Sequence, residues 1–268
     1  GATALHFAAR NANLPLLKFL LDQKADVQIG DSGGNTPLHF AANKQVALDL
    51  IAAGAKVDAM GTSGTPLHTA ATAGVAEVLL DNGAKIDARE STVNLSGKPL
   101  EGDTALQAAT RHGRVEVMEF LISKGADVNT KSNGYSALYS AASGSPKTVA
   151  LLLAHGAAVN GFDRDASPLW NAVFNHRTES VKLLLNANAT ATEIDQHGWS
   201  LLHTAAIGCD AKMIELLIAA NGDVNLLTNK KESALHIATE RANLDVVRVL
   251  LAHEANLRGT NADGETPL

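Results

Sequence analysis

The sequence predicts an all-α repeat solenoid, a stack of helix-turn-helix units with projecting β-hairpin loops. Two observations carry this. A Ser/Thr-x-Leu triplet recurs nine times, its leucine falling at Leu5, Leu38, Leu67, Leu106, Leu138, Leu169, Leu202, Leu235 and Leu268. The intervals are 33, 29, 39, 32, 31, 33, 33 and 33 residues, a period that fits one helix pair with its connecting loop. The chain is also 46% hydrophobic, yet its longest unbroken apolar run is only Val149 to Ala154. Apolar faces this short and this regularly spaced must be buried by neighbouring units rather than by one large core.

Each unit can be justified from its first residue onward. Thr3, Thr36, Thr65, Thr104, Ser136, Ser167, Ser200, Ser233 and Thr266 open the copies, and a hydroxyl there suits a helix N-cap. Pro37, Pro66, Pro168 and Pro267 follow in four copies, where proline fits the first helical position. Small pairs such as Ala8-Ala9, Ala41-Ala42, Ala141-Ala142 and Ala205-Ala206 let first helices approach closely. A more apolar second helix comes next, as at Leu14 to Leu21, Val115 to Ile122, Met213 to Ile218 and Leu244 to Leu251. Gly54, Gly83, Gly125 and Gly156 end four of these, where a left-handed cap is favoured; Asn188 and Asn221 tolerate the same conformation, and Lys24 and Glu254 fill it in the outermost copies. Ala126-Asp127-Val128-Asn129 and Ala157-Ala158-Val159-Asn160 then lead into a turn, as a projecting hairpin would.

Thr36-Pro37-Leu38-His39-Phe40-Ala41-Ala42, Thr65-Pro66-Leu67-His68 and Gly125-Ala126-Asp127-Val128-Asn129 resemble the ankyrin-repeat family, whose signature is T-P-L-H-x-A. The resemblance covers one array over 1–268, with repeats at 1–34, 35–63, 64–102, 103–134, 135–165, 166–198, 199–231 and 232–264, and a partial copy at 265–268. From the histidine slot to the Gly of Gly-Ala there are 18 residues in repeat four but 15 in repeats two and three. The missing residues are expected to come from the inter-helix turn or the start of the second helix. Repeat three then carries an extended loop, 89–103, whose Ser, Gly, Lys and Pro content predicts mobility. Tyr139 and Trp170 replace the slot histidine in repeats five and six. The chain starts and stops inside repeats, without the polar capping units that such arrays need, so flanking repeats or domains of a longer chain are expected.

The chemistry of sites is mostly excluded. No phosphate-loop, dinucleotide, zincin or nucleophile-elbow motif occurs, so no catalytic residue, cofactor or metal is expected. His6, His39, His68, His203 and His236 occupy one helix-start slot, and the resemblance implies hydrogen-bonding struts rather than ligands. The single cysteine, Cys209, reads as a small turn residue and favours a reducing compartment. No secretory leader is visible, so the Asn94-Leu95-Ser96 and Asn188-Ala189-Thr190 acceptor patterns read as chance and the expected location is intracellular and cytoplasmic. A net charge of −6 without a basic face argues against nucleic acid, and no segment predicts membrane insertion.

What remains is a surface. The family's groove lies along the positions before the Ser/Thr and seven or eight after it. Carried over, these include Asn35, and the partner-binding candidates are Tyr135, Phe174, Trp199, Arg164, His197, Arg111, His112 and Arg241. Only ten residues of the chain are aromatic, yet three fall in these slots. The expectation is a non-catalytic module that binds a protein or peptide in a concave groove. The alternatives are a scaffold segment of a larger channel, receptor or signalling protein and, behind it, a small-ligand sensor.

Overall fold

A computed structural model describes residues 1–93, 99–160, 167–208 and 210–268, with the backbone alone at 91–93 and 99–100. Arg164, Cys209 and the acceptor pattern at 94–96 lie outside the described residues.

The second helices set the repeat. They are α2 (Leu14–Asp22), α3 (Lys44–Ala52), α5 (Ala73–Asp81), α7 (Val115–Ser123), α9 (Pro146–Ala154), α11 (Thr178–Asn186), α13 (Ala211–Ala219) and α15 (Leu244–Ala252). Each is nine residues long. Their buried residues keep one face, as with Val117, Met118 and Leu121 of α7 or Met213, Ile214 and Leu217 of α13. Two residues past each helix, Lys24, Gly54, Gly83, Gly125, Gly156, Asn188, Asn221 and Glu254 take φ between 59° and 93°. The following amide then closes back on a helical carbonyl, as Ala55 N–H does on Leu50, which caps the C-terminus.

The first helices are α1 (Ala4–Arg10), a 3-10 turn at Pro37–Phe40, α4 (Pro66–Thr69), α6 (Ala105–Arg111), α8 (Ala137–Ala142), α10 (Pro168–Phe174), α12 (Leu201–Ile207) and α14 (Ala234–Glu240). Two compact units result, Gly1–Ala137 and Leu138–Leu268. In the first, α1, the 3-10 turn, α4 and α6 pack in succession beside α2, α3, α5 and α7; in the second, α10, α12 and α14 line up beside α9, α11, α13 and α15. Leu50, Leu121, Leu184, Leu217 and Leu250 of the second helices are fully buried. The fold is an all-α repeat stack.

The shortening of repeats two and three falls elsewhere than expected. Their second helices keep all nine residues, while the first helix contracts to four, against seven for α6. The second helix buries the larger apolar face and cannot give up a turn, so the loss falls on the first helix, while the turn after it keeps three residues (41–43 and 70–72, against 112–114 in repeat four). Arg114, partly buried at the start of α7, donates from Nη1 to the carbonyl of Ala70 at 3.0 Å, satisfying a carbonyl where α4 stops early. The segment 89–103 is also not a bare loop in its described part. β1 (Arg89–Val93) and β2 (Pro99–Thr104) pair antiparallel, Ser91 facing Glu101 and Val93 facing Pro99. Arg89 Nη1 donates to the carbonyls of Gly102 and Lys131, and Ser132 of β3 (Lys131–Ser132, paired with β4, Tyr135–Ser136) donates to Glu101.

The slot histidines tie each repeat to the next. In all five, the backbone N–H of the opening Thr or Ser donates to Nδ1 at 2.9–3.1 Å. An accepting Nδ1 leaves the ring proton on Nε2, which donates to a carbonyl of the following finger: Asn35, Gly64, Asp103, Glu232 and Glu265 respectively, at 2.9–3.3 Å. Gln107 reproduces the arrangement in repeat four. Its Oε1 accepts from Thr104 N–H and its Nε2 donates to Thr130 and Tyr135. Finger asparagines add a second tie: Asn160 bridges Asn188 and Thr190, and Asn225 bridges Glu254 and Asn256.

Two outcomes follow from this packing. Burial holds His39, His68 and His203 below the ordinary histidine pKa of 6.5, the backbone hydrogen bonds and the nearby Asp31, Glu90 and Asp195 opposing it. The unfolded chain therefore binds more protons than the fold below about pH 6.5. Stability is full above that value and falls as the pH is lowered through it. Thermal melts between pH 7.5 and 5.5 should show the midpoint dropping, and the H39Q/H68Q/H203Q variant, copying Gln107, should flatten the slope. Arg114→Ala should lower the stability of the first unit by about 1.5–3 kcal/mol, the range for a hydrogen bond from a charged donor, read from the urea midpoint.

Candidate functional site

The described first helices present few large side chains to solvent, which makes one place in the second unit distinct. Trp170 and Phe174 on α10, Thr204 and Ile207 on α12, His176 after α10, and Asp195 and Trp199 of the next finger line a cleft of about 360 Å³. Phe174 is 66% exposed and Ile207 38%, so these are apolar surfaces facing water rather than core.

Local chemistry fixes each wall. Ser167 caps α10, its Oγ accepting from Trp170 N–H at 3.0 Å, and the helix carries Trp170 and Phe174 one turn apart on the same side. His176 holds the left-handed turn between α10 and α11 at φ 55°, and its ring lies against Gly208, where a Cβ would meet Nδ1 at 2.0 Å. The finger is closed by Asp195. One carboxylate oxygen, Oδ1, accepts the N–H groups of His197 and Trp199, both at 2.8 Å, while the backbone N–H of Asp195 donates to the carbonyl of Trp199 at 2.9 Å. Trp199 is braced from below by the His203 ring, with centroids 5.8 Å apart. The tryptophan is thus set in place before any ligand arrives.

Repeat six, like repeat five with Tyr139, has no histidine in the slot, which Trp170 occupies. Ser167 instead donates its hydroxyl to Glu193 Oε2 at 2.7 Å. Burial raises the Glu193 pKa, with the Ser167 hydrogen bond opposing it.

The candidate residues separate under this geometry. Phe174 and Trp199 meet in one cleft. His197 sits beside them on the finger tip, its carbonyl accepting from Asn229, but its side chain does not line the space. Tyr135, Arg111 and His112 belong to the first unit. Arg111 is engaged there with Glu90 at 3.2 Å and Asp103 at 2.9 Å. His112 has its pKa lowered by partial burial and by the charges of Arg114 and Arg111. Tyr135 offers its carbonyl to Gln107. Arg241 caps the end of α14 at the surface of the second unit. Asn35, expected to face a groove, is buried: its Oδ1 accepts from Ser63 N–H and its amide donates to Asp31. Sequence reasoning missed Trp170, Ile207, His176 and Asp195. The available signal was the seven-residue spacing of Phe174 and Ile207 from their caps Ser167 and Ser200, which puts both on the corresponding helix position.

Among the described residues no cluster of three His, Cys, Asp or Glu side chains could hold a metal ion, and no helix is long and apolar enough to cross a membrane.

Comparison with known proteins agrees with this architecture. The family model for ankyrin repeats (3 copies) matches residues 1–61, 67–163, 158–226 and 202–268. The chain is 27% identical to the putative ankyrin repeat protein FPV031 of fowlpox virus, over 59% of this chain and 50% of that protein. It is 31% identical to the ankyrin repeat and KH domain-containing protein mask-1 of Caenorhabditis elegans, over 95% of this chain and 10% of that one. It is 32% identical to the neurogenic locus notch homolog protein 1 of Xenopus laevis, over 51% of this chain and 6% of that one. The chain therefore spans half or less of the curated relatives it matches. Ankyrin repeats are generally protein–protein interaction modules. With its helix pairs, capped turns and histidine struts on one period, this chain belongs to the ankyrin-repeat family.

Proposed function

We infer that this chain is a non-catalytic interaction module whose main contact with a partner protein or peptide is the aromatic cleft of repeats six and seven. The single observation that carries the reading is the set of apolar rings facing one open space, held there by a capped helix and a closed finger. Aromatic side chains in partly enclosed pockets are the usual anchors of protein interfaces. An enzyme would require a nucleophile, a base and an oxyanion donor converging on one point; the cleft is lined by the His176 imidazole, the Thr204 hydroxyl, which donates to the Ser200 carbonyl, and a carboxylate whose Oδ1 holds its own finger. His197 stands as a rim contact, Arg241 as a contact of repeat eight, and Tyr135, Arg111 and His112 as contacts of the first unit, with Arg164 outside the described residues. The same reading takes the partner to be protein rather than nucleic acid, in keeping with the acidic balance of the sequence, and takes the location to be intracellular, in keeping with one cysteine in 268 residues.

Selection from a displayed random-peptide library on the wild-type protein supplies a ligand without knowledge of the natural one. Phe174→Ala is the cleanest variant, because so exposed a ring adds little to stability. We expect Phe174→Ala and Trp199→Ala each to weaken the selected peptides by about thirty-fold. The unfolding midpoint should barely move for Phe174→Ala. Lys182→Ala, on the exposed side of α11, should leave affinity unchanged. Peptides that bind both aromatic variants as tightly as wild type would show that the rings only cover the finger stems.

A further inference from the structure

We propose that the cleft accepts a cationic side chain of the partner, a guanidinium or ammonium group entering between the rings of Trp170, Phe174 and Trp199 beside the Asp195 carboxylate. This rests on the interaction reading above and narrows it to a chemical class.

Four features of the site converge on a cation. Three aromatic rings border the same space, and the negative face of an aromatic ring attracts a cation, tryptophan most strongly. No ring contact joins the three to one another among the described residues, so they line the space rather than fill it. Asp195 adds a full charge. Its Oδ1 is occupied by the two finger amides, whereas Oδ2 receives no hydrogen bond from the described residues. Among the described residues no lysine or arginine lines the cleft, its basic side chain being the His176 imidazole, and residues 138–268 carry 10 Lys/Arg against 14 Asp/Glu, a net −4. The field therefore favours a positive group on approach. The volume is about tenfold the share of one liquid water, enough for a long side chain and its terminal group.

Asp195 could be thought indispensable to the fold, but the chain itself contains the control. In the last finger Asn261 occupies the equivalent place, its Oδ1 accepting from Asp263 and Glu265 N–H at 3.0 and 2.9 Å. Asp195→Asn thus keeps the hydrogen bonds that close the finger and removes only the charge.

The only two tryptophans of the chain are Trp170 and Trp199, so intrinsic emission reports on the cleft without a label. The probes are acetylated, amidated Gly-Ser-Gly-X-Gly-Ser-Gly peptides with X as arginine, lysine, citrulline or norleucine. Citrulline has the shape of arginine without its charge. We expect arginine or lysine peptides to change the emission saturably and citrulline and norleucine to bind at least about tenfold more weakly. In Asp195→Asn the cationic peptides should lose about fivefold or more while the neutral ones are unmoved, with circular dichroism confirming an intact fold. Equal binding of arginine and citrulline, or tighter binding of norleucine, would overturn the cation assignment and leave an apolar anchor, with the interaction reading intact. Absence of saturation by either cationic peptide up to about 10 mM, an affinity too weak to contribute to recognition, would also overturn it. Failure of the interaction reading itself shows separately, in the library-selected peptides and Phe174→Ala.

Discussion

The hydrogen bond from a buried Nε2–H to the carbonyl of the next finger is the constraint on which the architecture depends. It does two jobs at once. The Nδ1 side fixes the first turn of a helix by accepting an amide that the helix cannot satisfy, and the Nε2 side fixes where the following finger lies. The bond is short-range in space but joins residues 25 to 35 apart in sequence, so each repeat that carries the histidine places the finger that follows it. Leaving either partner unmet in a buried site would cost about 1–3 kcal/mol. Gln107 shows what the slot needs: one acceptor and one donor at opposite ends of a planar group, not an imidazole.

That rule explains the irregular segment of the first unit. Repeats two and three lose a turn of first helix but keep Thr36–His39 and Thr65–His68 and their struts. Shortening is tolerated at the far end of the helix, where Arg114 reaches back to Ala70, and not at the end that carries the strut. The longer β1–β2 finger likewise leaves the bond intact. Gly102 lies so close to Glu90 that a Cβ there would meet the Glu90 carbonyl oxygen at 2.1 Å. The ribbon is therefore closed tightly just before Asp103 accepts from His68.

Much of this was legible in the sequence because it is local and periodic. Caps, left-handed turn residues and the histidine slot each occupy one position per repeat, and the structure puts all eight second-helix caps at positive φ. Two kinds of feature were not legible. Whether a three-residue loss falls on the first or second helix depends on which face buries more, and that is a tertiary quantity. Pairing of 89–93 with 99–104 was hidden because Gly, Lys and Pro are poor strand formers, while the pairing is held by Arg89 and the neighbouring finger. The cleft was half visible. Phe174 and Trp199 stood out as rare rings in outward slots, but Trp170 read only as a missing histidine and Asp195 was not singled out. Asn35 failed for the opposite reason, since an outward slot became an interior one through its bonds to Asp31 and Ser63.

Trp170 stands where the strut rule and the cleft meet. With Tyr139 it departs from a rule kept by His203 and His236 in the same unit, and such departures are expected at functional or strained positions. The indole occupies the slot, and the capping serine is taken over by Glu193, whose own charge is disfavoured by burial. A carboxyl in that setting, sharing a hydroxyl proton with Ser167, is a less robust tie than an imidazole bound at both nitrogens. The exchange makes physical sense only if the ring gains something elsewhere. What it gains is a place beside Phe174, one turn along α10, facing a finger that Asp195 locks and His203 supports. The strut kept by repeat seven stiffens one wall of the cleft, and the strut given up by repeat six supplies the other.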